Sequence, residues 1–474
     1  MRFFEILLIV VDLVVLLSSF FPALPRQAAL LPLAGLAVML VQIFGEQPRW
    51  QMLPLYALTV ILCIAGLTAW RATGGARPGW TIAGLLALLL FSLPGIAFPV
   101  PNVPLPGGPY AVGTRTYEWV DENRAETLNP RQGVEGPVAG PAGKRRLLVQ
   151  VWYPAVPAAG AQQAPFLSDL AISGPAVAKA VGIPAFVLGH LSLIHTHSYP
   201  DAPLIPASGA ARFPVLVFSH GWKGIRVQNT YQMEELASHG YVVFAPDHTY
   251  GAAVTTFGDG TVVLNRPELL PKGVSDAEYD RSAQMVGQAW AGDLRFVVDQ
   301  AEKLNAGSLT GPFKDRLDLT QVGYLGHSTG GGAAVEACAT DPRCKAGFAM
   351  DAWMVPYDHS LPQTGLKMPF FFFQSEKWPN GPNASLTPAL YDNSRSPVWR
   401  LTIAGSKHFD FSDVSLLTPL GSVLGIKGPI DGPRALKMVN AYTVAFFDQT
   451  LRGQASQLLA GAAPAYPEIK FEKK

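Results

Sequence analysis

The hydrophobic positions of this chain follow two different patterns along its length. In the N-terminal part they form long runs, each close to the roughly 20 residues that an α-helix needs to cross about 30 Å of hydrocarbon. These runs cover residues 6–21, 28–44, 52–70 and 81–98. The pattern predicts four transmembrane helices in residues 1–98. Three further spans after the first favour a retained anchor over a cleaved secretory signal.

Beyond residue 98 the pattern changes. Residues 99–109 are too rich in proline and glycine for a helix or a central strand, so they predict a linker. From residue 110 onward, short apolar runs alternate with helix-compatible stretches, which is typical of a mostly parallel sheet covered by helices on both faces. The runs lie at residues 147–153, 215–219, 241–246, 322–325, 346–350, 370–374 and 400–403. The sequence therefore predicts one α/β domain over residues 110–474, with an α/β-hydrolase fold.

An insertion over residues 162–210 interrupts this alternation. It is rich in proline, alanine and leucine, and its run 177–194 carries one lysine and one histidine. A lid, a membrane-contacting element and an ordinary packed excursion all fit this composition.

Composition agrees with a membrane protein and excludes several function classes. The chain is 49% hydrophobic and 15% charged, against about 25% charged residues in an average soluble domain. A net charge of +1 offers no basic field for nucleic acid. The sequence contains no P-loop, zinc-ligand pair or dinucleotide fingerprint, so we expect no metal or organic cofactor.

Two acids lie at the first apolar run, one directly before it and one within it. Glu5 and Asp12 are seven residues apart, so both face one side of a helix, toward the interior of the predicted bundle. Asp12 either has a function there or packs as an acid against Thr59, Thr68 or a lipid headgroup.

The orientation in the membrane follows from basic residues in the loops. Arg26, Arg71 and Arg77 lie on one side, and Arg2 and Arg49 on the other. Positive-inside counting of three against two predicts that both termini and the α/β domain lie outside the cytoplasm.

The cysteines bear on the same question. Cys338 and Cys344 are six residues apart, a spacing that closes a loop-sized disulfide in an oxidising compartment. Two free thiols are an equally open interpretation. Cys63 lies within a predicted span.

A nucleophile motif follows the apolar run 322–325. Residues 326–330 read Gly-His-Ser-Thr-Gly, and a small-residue run follows them, which gives the strand, turn and helix that a G-x-S-x-G elbow requires. Such a turn presents a serine hydroxyl to a histidine. Ser328 is therefore the candidate nucleophile, and a Gly-rich turn without chemistry is the alternative.

The order serine, acid, histidine along the chain selects the other members of a triad. His408 follows the strand-like run 400–403 on a short loop, which makes it the candidate general base. Asp351 ends the run 346–350, where the orienting acid belongs. Asp341 and Asp358 are weaker candidates, and His359 is too close to the acid to come from a different strand.

Two backbone N–H groups should stabilise the oxyanion. The residue after the nucleophile, Thr329, supplies one. The second is the N–H of Trp222, in the His-Gly loop after the run 215–219. His220, His248 and His327 then have packing or loop-orienting roles.

Several segments together resemble a known family. Residues 213–221, 236–241, 326–328 and above all 350–354 look like the platelet-activating factor acetylhydrolases, the calcium-independent group VII phospholipase A2 enzymes and their bacterial relatives. Residues 373–376 and 405–408 continue the match, which runs from about residue 110 to the C-terminus. The chain departs from the family in its membrane spans, in its poorly matched insertion and at Thr329, where the usual residue is phenylalanine.

The resemblance implies Ser328, Asp351 and His408 as the triad and Trp222 and Thr329 as oxyanion donors. It implies a membrane-anchored, calcium-independent serine esterase for lipid esters with short or oxidised acyl chains. The alternatives are a dienelactone-hydrolase-like carboxylesterase acting on small soluble esters or polyesters, and an inactive membrane-bound binding module. The complete candidate triad argues against the last.

Overall fold

The computed structural model of the protein describes residues 1–21, 26–71, 78–129, 140–206, 212–378, 381 and 383–474. These residues form two compact units. Unit 1 comprises Met1–Asn102, Pro184–Ile194 and Leu417–Gly421, and unit 2 comprises Val103–Ile183, His195–Leu416 and Ser422–Lys474. The boundary at residue 102 lies within the proline-rich segment. The predicted insertion is divided, because its residues 184–194 belong to unit 1 and its other described residues to unit 2.

Unit 1 is helical. Its α-helices are α1 (Phe3–Ser18), α2 (Pro32–Gly45), α3 (Leu53–Arg71) and α4 (Pro78–Ala97). Among the described residues, three stretches are long and apolar enough to cross a membrane, at Gln27–Gly45, Trp50–Thr68 and Gly79–Ala97. The sequence predicts four spans and the structure supports three. The first predicted span is the shorter α1, with 16 residues. Arg77 and its part in the charge count lie outside the described residues.

The acids of α1 both face the interior of unit 1, as the heptad spacing predicts. Glu5 forms a buried ion pair with Arg49, at 2.7 Å between Oε1 and Nε. The hydroxyl of Thr59 donates to Asp12 Oδ2 at 2.7 Å. Of the two interpretations of Asp12, the structure shows the contact with Thr59. Glu5 is neutralised by an arginine, whereas Asp12 has this hydroxyl as a donor on one oxygen and no described partner on the other.

Unit 2 is built on a ten-stranded sheet, as far as the described residues extend, with the order β12-β11-β10-β9-β8-β4-β5-β2-β1-β3. The strands are β1 (Ala111–Ala125), β2 (Lys144–Ala155), β3 (Ser198–Pro200), β4 (Phe213–Ser219), β5 (Val242–Asp247), β6 (Val254–Thr256), β7 (Val262–Leu264), β8 (Leu317–His327), β9 (Cys344–Met350), β10 (Phe370–Ser375), β11 (Val398–Ile403) and β12 (Ile469–Lys473). Strands β6 and β7 form a separate pair. Every strand-like run of the sequence lies within or overlaps one of these strands.

The centre of the sheet is parallel. Strands β5, β4, β8, β9, β10 and β11 pair in parallel, whereas β1, β2 and β12 add antiparallel edges. All seven residues of β4 are buried, as expected for a parallel strand covered on both faces.

Helices cover both faces of this sheet. They are α5 (Leu170–Val181), α6 (Thr230–Ser238), α7 (Asp276–Ala306), α8 (Thr329–Thr340), α9 (Leu361–Thr364), α10 (Asn383–Asn393) and α11 (Gly432–Arg452). Phe371 and Phe373 of β10 contact Tyr442 of α11, while Phe370 and Phe372 join the core that contains α7 and α8. Because successive strand residues point to opposite faces, helices lie on each side. The predicted mostly parallel α/β architecture is therefore confirmed.

The two loop cysteines are bonded in the structure. A disulfide joins Cys338, near the end of α8, to Cys344, the first residue of β9, with 5.1 Å between their Cα atoms. Of the two open interpretations, the structure has the disulfide.

Candidate active site

Ser328 lies at a sharp turn between a strand and a helix. Strand β8 ends at His327 and α8 begins at Thr329, so Ser328 alone forms the corner. Its backbone has φ 57° and ψ −122°, a conformation that costs energy for any residue with a Cβ and is found at functional sites. The Ser328 N–H donates to Met350 O, and Ser328 O accepts from the N–H of Trp353, both at 2.9 Å. These bonds hold the serine in its strained conformation.

Two glycines of the motif allow this turn to approach its neighbours. A Cβ on Gly326 would lie 2.2 Å from Gly330 O, and a Cβ on Gly330 would lie 2.1 Å from Ser219 O. Both distances are shorter than any contact that a methyl group tolerates. The motif therefore needs glycine here for close backbone approach.

Asp351 follows β9 and is fully buried. Its Oδ1 accepts the Ser375 N–H at 2.7 Å, and its Oδ2 accepts the Ser375 hydroxyl at 2.7 Å. The same Oδ2 lies 3.0 Å from Nδ1 of His408. A carboxylate can only accept, so His408 carries its proton on Nδ1 and presents the lone pair of Nε2.

His408 reaches solvent beside the nucleophile turn. It begins a short 3₁₀ turn, His408–Phe411, and its side chain is 28% exposed. The ring of Trp378 stacks on it, with 4.9 Å between centroids. The structure shows no hydrogen bond between Ser328 and His408 among the described residues. Such bonds are often long without substrate.

The two candidate oxyanion donors lie at the start of α8 and in the loop after β4. Thr329 is the first residue of α8, so its N–H has no partner within the helix. Trp222 lies in the loop after β4. Within the part of the chain that the structure describes, neither N–H group donates to another residue. Both N–H groups are therefore without a described protein acceptor, as candidate oxyanion donors should be.

His220 fixes the peptide that carries the Trp222 N–H. Its Nε2 accepts the backbone N–H of His248 at 3.1 Å, so its Nδ1 carries the proton and donates to Gly221 O at 2.7 Å. The C=O of Gly221 and the N–H of Trp222 belong to one trans peptide and point in opposite directions. Holding the carbonyl therefore aims the N–H. Burial lowers the pKa of His220, which keeps the ring neutral.

A second Ser-His-Asp set lies in the interior of unit 2, between the ends of β4 and β5 and helix α7. The Ser219 hydroxyl is 2.7 Å from His248 Nε2, and His248 Nδ1 is 2.9 Å from Asp293 Oδ2. All three residues are completely buried, so an ester cannot reach them. Burial lowers the pKa of His248 to about 3. The set joins the end of β4 to α7, directly before residues 220–224, which we name the candidate oxyanion loop.

Asp293 is charged despite its burial. Burial opposes ionisation, but the guanidinium groups of Arg145 and Arg124 hold the pKa of Asp293 far below its usual range. The Arg145 pair measures 2.6 Å between Nη2 and Oδ2. No local sequence pattern marks Asp293 and Arg145, because they are 148 residues apart and neither belongs to a motif.

The weaker sequence candidates lie outside the site. Asp341 accepts from Tyr324 and Arg343. Asp358 caps the turn at Ser360, and His359 bonds to Val355 O. Ser375 and Trp378, by contrast, are site residues that the sequence analysis does not single out. Ser375 appears there only within the segment 373–376.

Comparisons with known proteins identify a family and several relatives of this chain. The chain matches the family described as platelet-activating factor acetylhydrolase, isoform II, over residues 144–267 and 276–458. It is 29% identical over 282 residues to the platelet-activating factor acetylhydrolase of Canis lupus familiaris, covering 52% of this chain and 59% of the dog protein. It is 26% identical over 279 residues to a probable 1-alkyl-2-acetylglycerophosphocholine esterase of Arthroderma benhamiae, covering 54% of this chain and 66% of that protein.

A solved structure extends the similarity to the fold. The ferulic acid esterase of Streptomyces cinnamoneus superposes with a TM-score of 0.62 at 28% sequence identity. The match covers 78% of this chain and 99% of the esterase. The sheet of unit 2 is thus the α/β-hydrolase sheet that the sequence predicts.

Proposed function

This chain belongs to the platelet-activating factor acetylhydrolase, isoform II, family, and on that premise we propose that it is a serine ester hydrolase with Ser328, His408 and Asp351 as its catalytic triad. The observation that carries the proposal is the hydrogen bond between Asp351 and His408, next to the strained Ser328 turn. It presents the lone pair of His408 Nε2, as a general base requires.

The mechanism follows from these roles. The Ser328 hydroxyl attacks the ester carbonyl carbon while His408 Nε2 takes its proton, and Asp351 stabilises the resulting imidazolium. The oxyanion accepts hydrogen bonds from the Trp222 and Thr329 N–H groups. The intermediate then collapses, and His408 returns the proton to the departing alcohol. Water, activated by His408, hydrolyses the acyl-enzyme and restores Ser328. The chain's own groups supply every step, so the proposed reaction is independent of calcium and uses no cofactor.

The proposed substrates are lipid esters with short or oxidised acyl chains. Two observations support this class. The relatives are named for platelet-activating factor and for 1-alkyl-2-acetylglycerophosphocholine, and unit 1 contains three stretches that can cross a membrane. We propose that unit 1 is a multi-pass membrane anchor. The second candidate, hydrolysis of small soluble esters, is favoured by the match to nearly the whole of the ferulic acid esterase.

An ester panel distinguishes the two substrate classes. We expect the full-length protein in liposomes to hydrolyse 1-alkyl-2-acetylglycerophosphocholine with a kcat/KM at least about tenfold above that for methyl ferulate and for the 2-palmitoyl analogue. The reason is that a pocket shaped for one acyl group lowers kcat/KM about tenfold or more for an acyl group of different size. Rates with EDTA should equal those with calcium. A preference for methyl ferulate would favour the second candidate, and strict calcium dependence would contradict the triad mechanism.

The proposed location of unit 2 is outside the cytoplasm, as the loop charges predict. The disulfide between Cys338 and Cys344 supports it, because disulfides persist in oxidising compartments. With three cysteines in the chain, only Cys63 should react with a polyethylene-glycol maleimide after acid quenching and denaturation of cells.

The number of adducts on a gel checks this prediction. We expect one adduct without reduction and three after it, and a Cys338→Ser control should give two without reduction. Three adducts in unreduced wild-type protein would contradict the oxidising location.

A further inference from the structure

Gln228 lies between the oxyanion loop and α6, next to the nucleophile turn. Its side-chain Oε1 accepts the N–H of Gly221 at 3.1 Å. Its Nε2 lies 3.0 Å from Nδ1 of His327 and 3.1 Å from Oδ1 of Asn229. One amide group thus contacts the oxyanion loop on one side and two polar residues on the other.

The protons of this cluster have one consistent arrangement. The Gly221 N–H can only donate, so the amide oxygen of Gln228 faces it and the amide NH₂ faces His327. On the other side of the ring, His327 Nε2 lies 2.9 Å from His408 O, which can only accept. His327 therefore carries its proton on Nε2, and its Nδ1 accepts from Gln228. Burial first, and the nearby His408 second, lower the pKa of His327 well below its usual range, which maintains the neutral ring.

These bonds form a chain in which every donor points the same way. It runs from the Gly221 N–H through the amide of Gln228 and the ring of His327 to the carbonyl of His408. Its first member precedes the proposed oxyanion donor Trp222, and its last is the backbone of the proposed general base.

A second branch reaches the other end of the turn that carries His408. Asn229, which accepts the remaining Gln228 proton, donates from Nδ2 to Phe411 O at 2.7 Å. The turn His408–Phe411 is thus held at its first and last carbonyl groups. In addition, the backbone carbonyl of Gln228 accepts the N–H of Asp413 at 3.1 Å.

We propose that Gln228 is a positioning residue that couples the oxyanion loop to the general base, through His327 and Asn229. The proposal rests on the proposed ester hydrolysis and adds to it a residue that holds two parts of the site in one geometry. Hydrogen-bonded networks of this kind hold reacting groups within the narrow limits that catalysis requires.

Gly224 fits the same arrangement. A Cβ on this residue would lie 2.2 Å from Gln228 Oε1. Alanine at this position would therefore displace the amide from the Gly221 N–H. Gly224→Ala is thus a second variant that disturbs the chain with the glutamine retained, both at the Gln228 amide and at Gly221 O, which the Cβ would approach to 2.9 Å.

Gln228→Met tests the proposal, because methionine keeps the length of the side chain and removes both polar atoms. We expect kcat for a soluble aryl ester to fall about 10- to 100-fold, as for a small misplacement of catalytic groups, with KM within about threefold of wild type. Gly224→Ala should likewise lower kcat with little change in KM. The matched control is Gln150→Met on β2, whose amide donates to Thr114 at 3.0 Å and which should keep the wild-type kcat.

A double-mutant cycle with His327→Phe tests whether the two residues act through one chain. The combined loss in kcat should be close to the larger single loss rather than to the product of the two, since coupled groups are not additive. A kcat within twofold of wild type in Gln228→Met, or multiplicative losses in the cycle, would overturn the coupling whatever Gly224→Ala shows, because the methyl group of that variant also contacts Gly221 O.

Fluorophosphonate labelling separates this result from the proposed function. Wild-type protein that is labelled and active, with variants that are equally active, would refute the role of Gln228 alone. Wild-type protein that is neither labelled nor active would refute the ester hydrolase and the coupling together.

Discussion

Replacement of Ser328 by alanine is expected to lower kcat for ester hydrolysis by at least about 10⁴-fold, because removal of a triad nucleophile leaves only the oxyanion donors and substrate binding. The serine hydroxyl donates no hydrogen bond to another described residue, and the Cβ is retained. The thermal unfolding temperature of the variant should therefore stay close to that of the wild type.

Rates on an aryl ester, measured with equal amounts of folded protein, check this expectation. Circular dichroism and the unfolding temperature provide the folding control. Residual activity above about one per cent of wild type would place the nucleophile elsewhere.

Asp351→Asn is expected to lower kcat by about 10³- to 10⁴-fold without unfolding the protein. The Ser375 N–H donates to Oδ1 of Asp351, so the amide oxygen of asparagine must take that place. Its NH₂ group then replaces Oδ2 and faces His408 Nδ1. A ring that accepts on Nδ1 carries its proton on Nε2 and cannot take the Ser328 proton. The loss arises because the histidine adopts the wrong tautomer, an effect that lowers kcat about 10⁴-fold in serine proteases.

Ser375→Ala provides the matched control for this variant. It keeps the Ser375 N–H and removes only the hydroxyl that donates to Oδ2 at 2.7 Å. The carboxylate remains, so His408 keeps its tautomer, and we expect a loss of no more than about tenfold from one lost hydrogen bond. An Asp351→Asn enzyme with more than about a tenth of wild-type kcat would show that Asp351 does not set the tautomer.

The sequence predicts the centre of the fold better than its edges. Central strands such as β4 and β9 are short continuous apolar runs, which mark a parallel strand buried on both faces. The long strand β1 alternates charged and apolar residues and includes exposed positions. Its pairing with β2 depends on tertiary contacts, so the sequence pattern does not single it out.

In the N-terminal helices, too, tertiary contacts are not visible in the sequence pattern. The prediction of a span at residues 6–21 rests on hydropathy, yet α1 contains 16 residues, and its Glu5 forms an ion pair with Arg49, which lies outside α1. Arg49 is 44 residues from Glu5. The assignment of residues 184–194 to unit 1 likewise has no local signal, since only the folded chain brings the segment to its neighbours.

The proposed site also contains residues that the sequence marks and residues that only the structure reveals. Ser328, Asp351 and His408 follow from a motif and from the order of strand ends, both of which are visible in the sequence. Gln228 and Ser375 have no such signature, because their importance comes from which atoms they reach in space. A glutamine before a helix is common, and only its contacts with Gly221 and His327 distinguish it.

Identification of the residue that a fluorophosphonate modifies tests whether Ser328 is the nucleophile of an esterase. Full-length protein is treated with the probe, digested and analysed by tandem mass spectrometry. We expect a single adduct, located on Ser328, absent from Ser328→Ala and formed much more slowly in Asp351→Asn. An adduct on another serine, or none on active protein, would contradict it.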